Sequence, residues 1–545
     1  MRIARSATLA LAFGLMLGAA GGHAAETGAA ETPRHGGILN FAVTAEPANY
    51  DCEANVSFAF IHPIAPHYST LLKFDPVHYP AIEGDLAKAW SVSPDKKVYT
   101  FKLQPHVLFH DGTVLSSADV KASYERIIHP AKGVFSARQA DYASIAEIDT
   151  PDPLTVVFHL SYAQSGMLEN FASPWNCIYS AAKLKADPLY PSQHVMGTGP
   201  FVFVEHVKGD HWTGRRFAHY FRPGQPYLDG YTAHFMSGSK VVSAFKSGAI
   251  EAEFRSVTPV QRDQLTAALG DRVDISESPW VINLLLIFNT KHKPFDDMRV
   301  RQALSLAIDR WQMAKELSGT TYMKYVGGLM RPGFSMATPE AELERLPGFS
   351  HDAAASEAEA RRLLAEAGVH NLTVAFVNRS IPVPYGPAAD YVTAAWKRLG
   401  VTVKEVRLDN KHWDEALKAG AFDAAFDFDG DYMDDPTLQM TKYVSPDLSP
   451  DNYSGATDRM LDALFVGQAV IPDPRERARI VRSFEKRAMT EAYSVPILWW
   501  NRIIAHSSRL HGWTITPSHY LEQDLGDVWL DAPGQKAPTT RAAER

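Results

Sequence analysis

The segment from residue 372 to residue 406 places the tightest constraint on the fold. Leu372 to Val377 and Val401 to Val406 are short apolar runs typical of strands. Between them, Ala388 to Leu399 has the composition of a helix, and Gly400 follows at its end. A strand, a helix and a second strand in this order form a βαβ unit, whose strands pair in parallel. The sequence therefore predicts an α/β protein.

A second local unit lies between Asp85 and Arg126. Tyr99, Phe101 and Leu103 alternate with polar residues, which is typical of a half-buried strand. Ser116 and Asp119 have the spacing of a capping box, so a helix is expected to begin there. This strand, turn and helix say nothing about function by their pattern alone.

The N-terminus has the three parts of a secretory signal. Arg2 and Arg5 supply the charge, and Ala7 to Ala20 form an apolar stretch too short to cross a membrane. We predict a signal peptide at 1–24, with cleavage after Ala24 or Ala25. No cysteine directly follows this apolar stretch, so no lipid anchor is predicted. Residues 25–36 are expected to form a flexible leader, and residues 535–545 a disordered tail.

The net charge and the cysteine count argue against several classes of function. A net charge of −8 and the lack of a basic run argue against nucleic-acid binding. In an exported chain, the only two cysteines, Cys52 and Cys177, favour a disulfide, and the alternative is two buried thiols. No third cysteine or Cys-x-x-Cys is present for zinc, and the 21 histidines are scattered. We predict neither a metal site nor a cofactor.

Several segments resemble landmarks of one family, in the family's own order. They are Leu86 with Trp90, Phe109 to Gly112, Ser117 to Val120, Gly197 to Phe201, Pro226 to Gly230, and Phe288 to Arg310. The chain resembles the extracytoplasmic solute-binding proteins of ABC importers, in the subfamily of peptide- and nickel-binding proteins. The last landmark also predicts an amphipathic helix that continues to Trp311.

The resemblance implies a two-lobed α/β fold with a ligand cleft between lobes joined by a hinge. Lobe I would comprise residues 37–51, 195–282 and 506–534. Residues 52–194 would form an inserted subdomain of lobe I, and residues 283–505 would form lobe II. Ligand would bridge the lobes and stabilise the closed form, which docks on membrane permease subunits.

An acidic strand end carries the clearest candidate site. Asp427 and Asp429 alternate with Phe426 and Phe428, and Asp431 follows. A calcium loop is excluded because Tyr432 stands where its glycine is required and Leu438 where its glutamate is required. The alternative is a solvated strand end, and the sequence leaves open whether Asp429 or Asp431 faces the cleft.

In peptide-binding relatives, this strand ends in an aromatic residue followed, three positions on, by an aspartate that binds the ligand's α-ammonium group. The resemblance therefore implies that role for Asp431, with Phe428 and Tyr432 beside it. Phe428 stands where these relatives usually carry Trp, and one extra residue precedes Asp434-Asp435-Pro436. These differences favour an amine-bearing ligand other than an ordinary peptide.

Arg379 and Tyr385 form a second candidate pair. Dipeptide-binding relatives carry an arginine directly before Pro-Tyr, where it pairs with the ligand carboxylate. Here Val383 precedes Pro384-Tyr385, so Arg379 would have to substitute, and the alternative is a surface arginine. Aromatic side chains near predicted crossover points could form walls of the cleft, although most are expected to be core. These are Tyr50, Trp175, Trp280, Tyr432, Trp499 and Trp500.

The sequence thus indicates a periplasmic, monomeric binding component of an ABC importer, with a peptide or other amine-bearing solute as ligand. A metal chelate or a sugar oligomer is the alternative ligand. A secreted hydrolase or a periplasmic chaperone is the alternative class of protein. Neither the Gly-x-Ser-x-Gly motif nor a phosphate-binding loop occurs, so no enzymatic activity is predicted.

Overall fold

A mixed sheet organises the computed structural model, which describes residues 32–532. The predicted signal peptide, most of the predicted leader and the predicted tail lie outside these residues. The contacts below belong to the compact unit that begins at Arg34. The strands are β1 Ile38–Val43, β2 Leu72–Phe74, β3 Ile82–Gly84, β4 Ala87–Val92, β5 Val98–Leu103, β6 Ile145–Asp152, β7 Thr155–Leu160, β8 Phe201–Val207, β9 His211–Arg216, β10 Gly230–Phe235, β11 Ala252–Glu253, β12 Val273–Phe288, β13 Met323–Tyr325, β14 Thr373–Arg379, β15 Thr402–Leu408, β16 Ala424–Gly430, β17 Ser494–Ser507, β18 Leu510–His511 and β19 Trp529–Leu530.

Helices alternate with these strands along the chain. They are α1 Phe58–Ile64, α2 Ser117–Ile128, α3 Met167–Phe171, α4 Ala181–Ala186, α5 Tyr190–Gln193, α6 Gly238–Ser247, α7 Pro259–Leu269, α8 Met298–Leu306, α9 Arg310–Leu317, α10 Glu340–Leu343, α11 Ala353–Glu366, α12 Tyr385–Arg398, α13 Asn410–Ala419, α14 Pro436–Met440, α15 Arg459–Ala469 and α16 Pro474–Glu491. Among the helices of the described residues, none combines the length and the apolarity that a bilayer crossing requires.

The central sheet has the order β15-β14-β16-β12-β17-β11-β1-β10-β9-β8, and β13 pairs with β17 off this path. Strands β12 and β17 are long and antiparallel, and they take part in both halves of the sheet. Their pairing shifts register between Pro279 and Asn283 and again before Leu285. The two halves of the sheet are therefore continuous but meet at an irregular crossing. A separate sheet, β4-β5-β7-β6, forms from residues 87–160.

The predicted βαβ unit is confirmed. Strands β14 and β15 pair in parallel, with Val374 opposite Val403, and α12 connects them. The predicted capping box at the start of α2 is also confirmed, because the backbone N–H of Ser116 donates to the Asp119 carboxylate at 2.8 Å.

The single helix predicted from Pro294 to Trp311 is wrong. The structure has two helices there, α8 and α9, separated at Ala307–Asp309. Asp309 accepts a hydrogen bond from the backbone N–H of Gln312 and caps α9, so the chain changes direction without losing apolar residues from the core.

Alternation along the buried strands produces a core on each face of the sheet. In β12, Leu284, Leu286 and Phe288 pack into one core, whereas Leu285 and Ile287 pack into the core on the opposite face. A strand buried on both faces must be apolar throughout, which explains the continuous run LLLIF.

Cys52 and Cys177 form a disulfide in the structure. Their Cα atoms are 6.1 Å apart, and the bond closes a sequence separation of 125 residues. The crosslink joins the segment that follows β1 to the apolar stretch before α4.

Candidate functional site

Asp431 lies directly after β16 and is partly exposed. Its Oδ1 accepts a hydrogen bond from the backbone N–H of Tyr432 at 2.7 Å. Within residues 32–532, no cation lies within ion-pair distance of this carboxylate. Burial raises the pKa of Asp431, and the positive charge of Arg138 opposes that shift. A desolvated carboxylate of this kind can accept hydrogen bonds from an ammonium group.

Asp427 and Asp429 lie on one face of β16 and are more deeply buried than Asp431. Lys442 pairs with Asp427, with Nζ 2.5 Å from Oδ2. Burial raises the pKa of Asp429 well above its ordinary value, Lys442 opposes the shift, and Asp427 adds to it. Asp429 is 5% exposed. The exposure therefore favours Asp431 over Asp429 as the acid that meets a ligand.

Arg379 and Tyr385 are in contact, as a shared site requires. Arg379 Nη1 donates to the Tyr385 hydroxyl at 2.9 Å, and Nη2 donates to Asn410 Oδ1 at 2.6 Å. The guanidinium also lies 4.8 Å from the Trp413 ring centroid and 5.4 Å from that of Phe428. Arg379 has no carboxylate within ion-pair distance in the part of the chain that the structure describes. Phe428 thus connects the arginine to the strand that leads to Asp431.

Two predicted aromatic residues lie near Asp431 but are almost fully buried. The Tyr432 hydroxyl donates to Asn170 Oδ1 at 3.2 Å. Trp175 supports Arg138, whose guanidinium carbon lies 4.4 Å from a Trp175 ring centroid. Tyr520, which the sequence did not indicate, packs 5.6 Å from Trp175. The charge of Asp431 raises the pKa of Tyr520, after the effect of burial.

Tyr50 and Trp499 are not part of this group. The Tyr50 hydroxyl is 2.9 Å from Nδ1 of His206 on β8, and its ring packs edge-on against Trp212 on β9. Trp499 is fully buried, and its Nε1 donates to the Gly328 carbonyl at 3.0 Å. Both positions favour packing over ligand contact.

The structure adds a cation that sequence reasoning missed. Arg255, in the loop after β11, has its guanidinium carbon 4.4 Å from the Phe58 ring centroid and 5.4 Å from that of Trp280. Trp500 packs edge-on against Trp280 at 5.7 Å. The contributing segments are far apart in the chain, so no local spacing signals the cluster.

Two other features of the surface are weaker candidates for a ligand or metal site. A cavity of about 480 Å³ is lined by residues of α8, α9, α11 and α12, including Asp309 and Tyr391, but by none of the predicted site residues. Glu340, Glu344 and His351 lie close enough to share a metal ion, but all three are exposed. The side chains best suited to contact a ligand therefore lie near the end of β16 and around Arg255.

Comparisons with known proteins show the family and the fold of the chain. The sequence model of the family described as "Bacterial extracellular solute-binding proteins, family 5 Middle" matches residues 81–449. The glutathione-binding protein GsiB of Escherichia coli strain K12 is 25% identical over 454 residues, which cover 80% of this chain and 84% of GsiB.

Solved structures show the same two-lobed fold. The PBP AgaA from A. tumefaciens R10, in complex with agropinic acid, superimposes with a TM-score of 0.77 at 26% identity, over 91% of this chain and 99% of AgaA. The periplasmic binding protein DppA of Helicobacter pylori, in complex with the peptide STSA, gives a TM-score of 0.76 at 22% identity, over 92% and 99% of the two chains. The chain belongs to the bacterial extracellular solute-binding proteins of family 5.

Proposed function

We propose that the protein is the periplasmic binding component of an ABC importer and that it captures a peptide or other amine-bearing solute. The observation that carries this proposal is Asp431, a partly exposed carboxylate that no described cation pairs with. Tyr432 and Tyr520 both lie within its electrostatic reach and are themselves desolvated, and in such surroundings the attraction to an ammonium group would be stronger than in water. GsiB binds glutathione, a peptide with a free amine, which supports the same ligand class.

Closure would take place at the crossing of β12 and β17. The register shifts near Asn283, and Trp499 and Asn501 lie opposite on β17. We assign residues 37–51, 195–282 and 506–534 to lobe I, 52–194 to its subdomain, and 283–505 to lobe II. A bound solute would then contact Asp431 from one lobe and Arg255 or Phe58 from the other. The closed form would dock on permease subunits as a monomer, after removal of a signal peptide at 1–24 and without a lipid anchor.

The protein is proposed to bind its solute without transforming it. Its relatives of known structure and name are binding proteins, which supports a function without catalysis. A test is incubation with the identified solute followed by mass analysis, in which the solute should be recovered unchanged.

The ligand class is tested by native mass spectrometry of the protein purified from its own periplasm, followed by denaturing release of the bound solute. An amine-bearing solute is the expected result. Calorimetry with the released solute should then show that Asp431→Asn weakens binding by roughly 2–4 kcal/mol, because a buried ammonium loses its counter-charge.

Asp271→Asn is the matched control, since Asp271 is an exposed aspartate remote from β16 in sequence. It should bind as the wild type does. A released metal chelate or sugar oligomer, or unchanged affinity in Asp431→Asn, would contradict the proposed role of Asp431.

A further inference from the structure

The backbone of Arg255 is held firmly in its loop between β11 and α7. Its N–H donates to Glu253 Oε1 at 3.2 Å, and its carbonyl accepts from Arg502 Nε at 3.2 Å. The Phe58 and Trp280 rings flank the guanidinium at 4.4 and 5.4 Å. The position of this cation is therefore set by three separate segments before any ligand arrives.

Arg255 is half-buried, and no carboxylate in residues 32–532 lies within ion-pair distance of its guanidinium. Its Nε is buried and has no hydrogen-bond partner among these residues. By contrast, the buried Arg331 pairs with Asp434 and the buried Arg477 pairs with Asp435, each at 2.8 Å. The buried Arg310 and Arg502 have no carboxylate partner among the described residues, but their Nε and Nη1 atoms donate to backbone carbonyls. A guanidinium carries only donors, so a buried Nε without a partner is costly unless an acceptor reaches it.

Trp500 provides an independent second observation. It is 5% exposed, and its Nε1 has no hydrogen-bond partner in the described residues. Its ring lies against Trp280, the same residue that flanks Arg255, and stacks on Tyr322 at 5.9 Å. An indole N–H is also a donor only. Arg255 Nε and Trp500 Nε1, two donors without a partner among the described residues, thus belong to side chains that both contact Trp280. An anionic acceptor would satisfy both.

The surrounding charges also favour an anion. Arg502, which contacts the Arg255 carbonyl, is a second buried cation. The nearby acid is Glu253, whose pKa burial raises above its ordinary value while Arg255 opposes the shift. Glu253 Oε2 is itself buried and unpaired, and Oε1 contacts backbone only. Glu522 is a second acid near Arg502, and burial raises its pKa well above its ordinary value. Because both acids are favoured in their neutral forms, the two arginines keep positive charge available for an anion.

We infer that Arg255 and Trp500 form a carboxylate-binding subsite, so that the captured solute carries a free carboxylate as well as an amine. This inference rests on the proposed function, in which Asp431 binds the amine. Tyr520 lies within the electrostatic reach of both groups, because Asp431 raises its pKa and Arg255 lowers it. The two ends of one small zwitterionic solute fit this arrangement of opposite charges.

The test uses the full mature chain and a pooled tripeptide library in three forms: unmodified, with carboxylates converted to methylamides, and with amines acetylated. Bound peptides are identified by affinity selection and mass spectrometry. The wild type should retain the unmodified pool and lose roughly 10- to 100-fold of this retention with the methylamides, the range expected for a charge-assisted hydrogen bond.

Arg255→Gln should retain the unmodified and methylamide forms equally, and Arg255→Lys should recover part of the preference. Arg272→Gln removes an exposed arginine of the following segment and should behave as the wild type. The thermal midpoint of each variant shows that it is folded.

Equal retention of methylamides by the wild type, or a carboxylate preference that survives in Arg255→Gln, would overturn the subsite. If acetylated peptides are retained as strongly as unmodified ones while methylamides are lost, the amine-binding role fails and the subsite stands. If the wild type retains no form, the subsite for a zwitterionic solute is overturned, and the amine-binding role is decided separately by the solute released from the periplasmic protein.

Discussion

Two arginines of this chain have opposite surroundings. Arg126 is 7% exposed and contacts Asp51 and Glu53, with Nη2 2.5 Å from Asp51 Oδ2, while its Nε donates to the Pro188 carbonyl at 3.3 Å. Arg255 contacts aromatic rings and leaves Nε without a partner. The first guanidinium is saturated by the protein itself, and the second is positioned but unsaturated.

This difference separates a structural cation from one available to a ligand. Arg126 joins the segment around Cys52 to α2, so its partners depend on it for charge compensation. Arg255 has no carboxylate within ion-pair distance in residues 32–532 and acts on Glu253 only at longer range, so the fold depends less on its charge. The comparison predicts that mutations at the two positions affect different measurements.

The largest expected effect is on stability at Arg126. Arg126→Met should lower the free energy of unfolding by roughly 3–5 kcal/mol, because Asp51 and Glu53 would remain buried without a counter-charge. Arg255→Met should cost about 1 kcal/mol, the scale of its contacts with rings. Urea unfolding followed by circular dichroism, without added solute, measures both. Equal losses in the two variants would break the comparison.

Much of the fold could be predicted from the sequence because its signals are local. The βαβ unit of β14, α12 and β15 follows from apolar runs and Gly400, and α2 follows from the capping pair Ser116 and Asp119. The break between α8 and α9 was missed because the apolar spacing continues through Asp309, whose side chain begins the second helix.

The candidate site could be inferred from the sequence only where a residue matches a motif of the family. Asp431 is such a residue, and its role stays a prediction. Arg255 could not be inferred, because Phe58 and Trp280 flank it, and Trp500 packs on Trp280, only in three dimensions. Trp499 and Trp500 were equal candidates because β17 is buried on both faces, and sequence alternation does not tell which indole N–H finds an acceptor.

Acid should affect the Arg255 region through His62, which packs against Phe58. Burial lowers the pKa of His62 to about 3, and Arg502 and Arg255 add to the shift while a hydrogen bond to the His519 carbonyl opposes it. Below pH 6.5 the unfolded chain gains a proton that the native imidazole does not, so stability is lost as the pH falls. From pH 6.5 to 4.5 this amounts to about 2.3 kcal/mol.

Urea unfolding of the wild type and His62→Gln at these two pH values measures that contribution. Glutamine can still donate to the His519 carbonyl but does not titrate. The variant should lose about 2.3 kcal/mol less than the wild type on acidification. Parallel losses would show that His62 is protonated in the native state as readily as in the unfolded one.

The smallest expected effect distinguishes two adjacent tryptophans, and it extends the comparison from cations to neutral donors. Trp499→Phe leaves the Gly328 carbonyl without its donor and should cost roughly 1–2 kcal/mol of stability. Trp500→Phe removes an N–H that has no partner, so stability should change by less than about 1 kcal/mol. Affinity for the released solute should instead fall roughly tenfold in Trp500→Phe and stay unchanged in Trp499→Phe. Calorimetry and urea unfolding on both variants provide the four values. If Trp500→Phe is the less stable variant and binds normally, the unpaired indole is a packing residue, and the distinction between saturated and unsaturated donors does not identify ligand contacts in this protein.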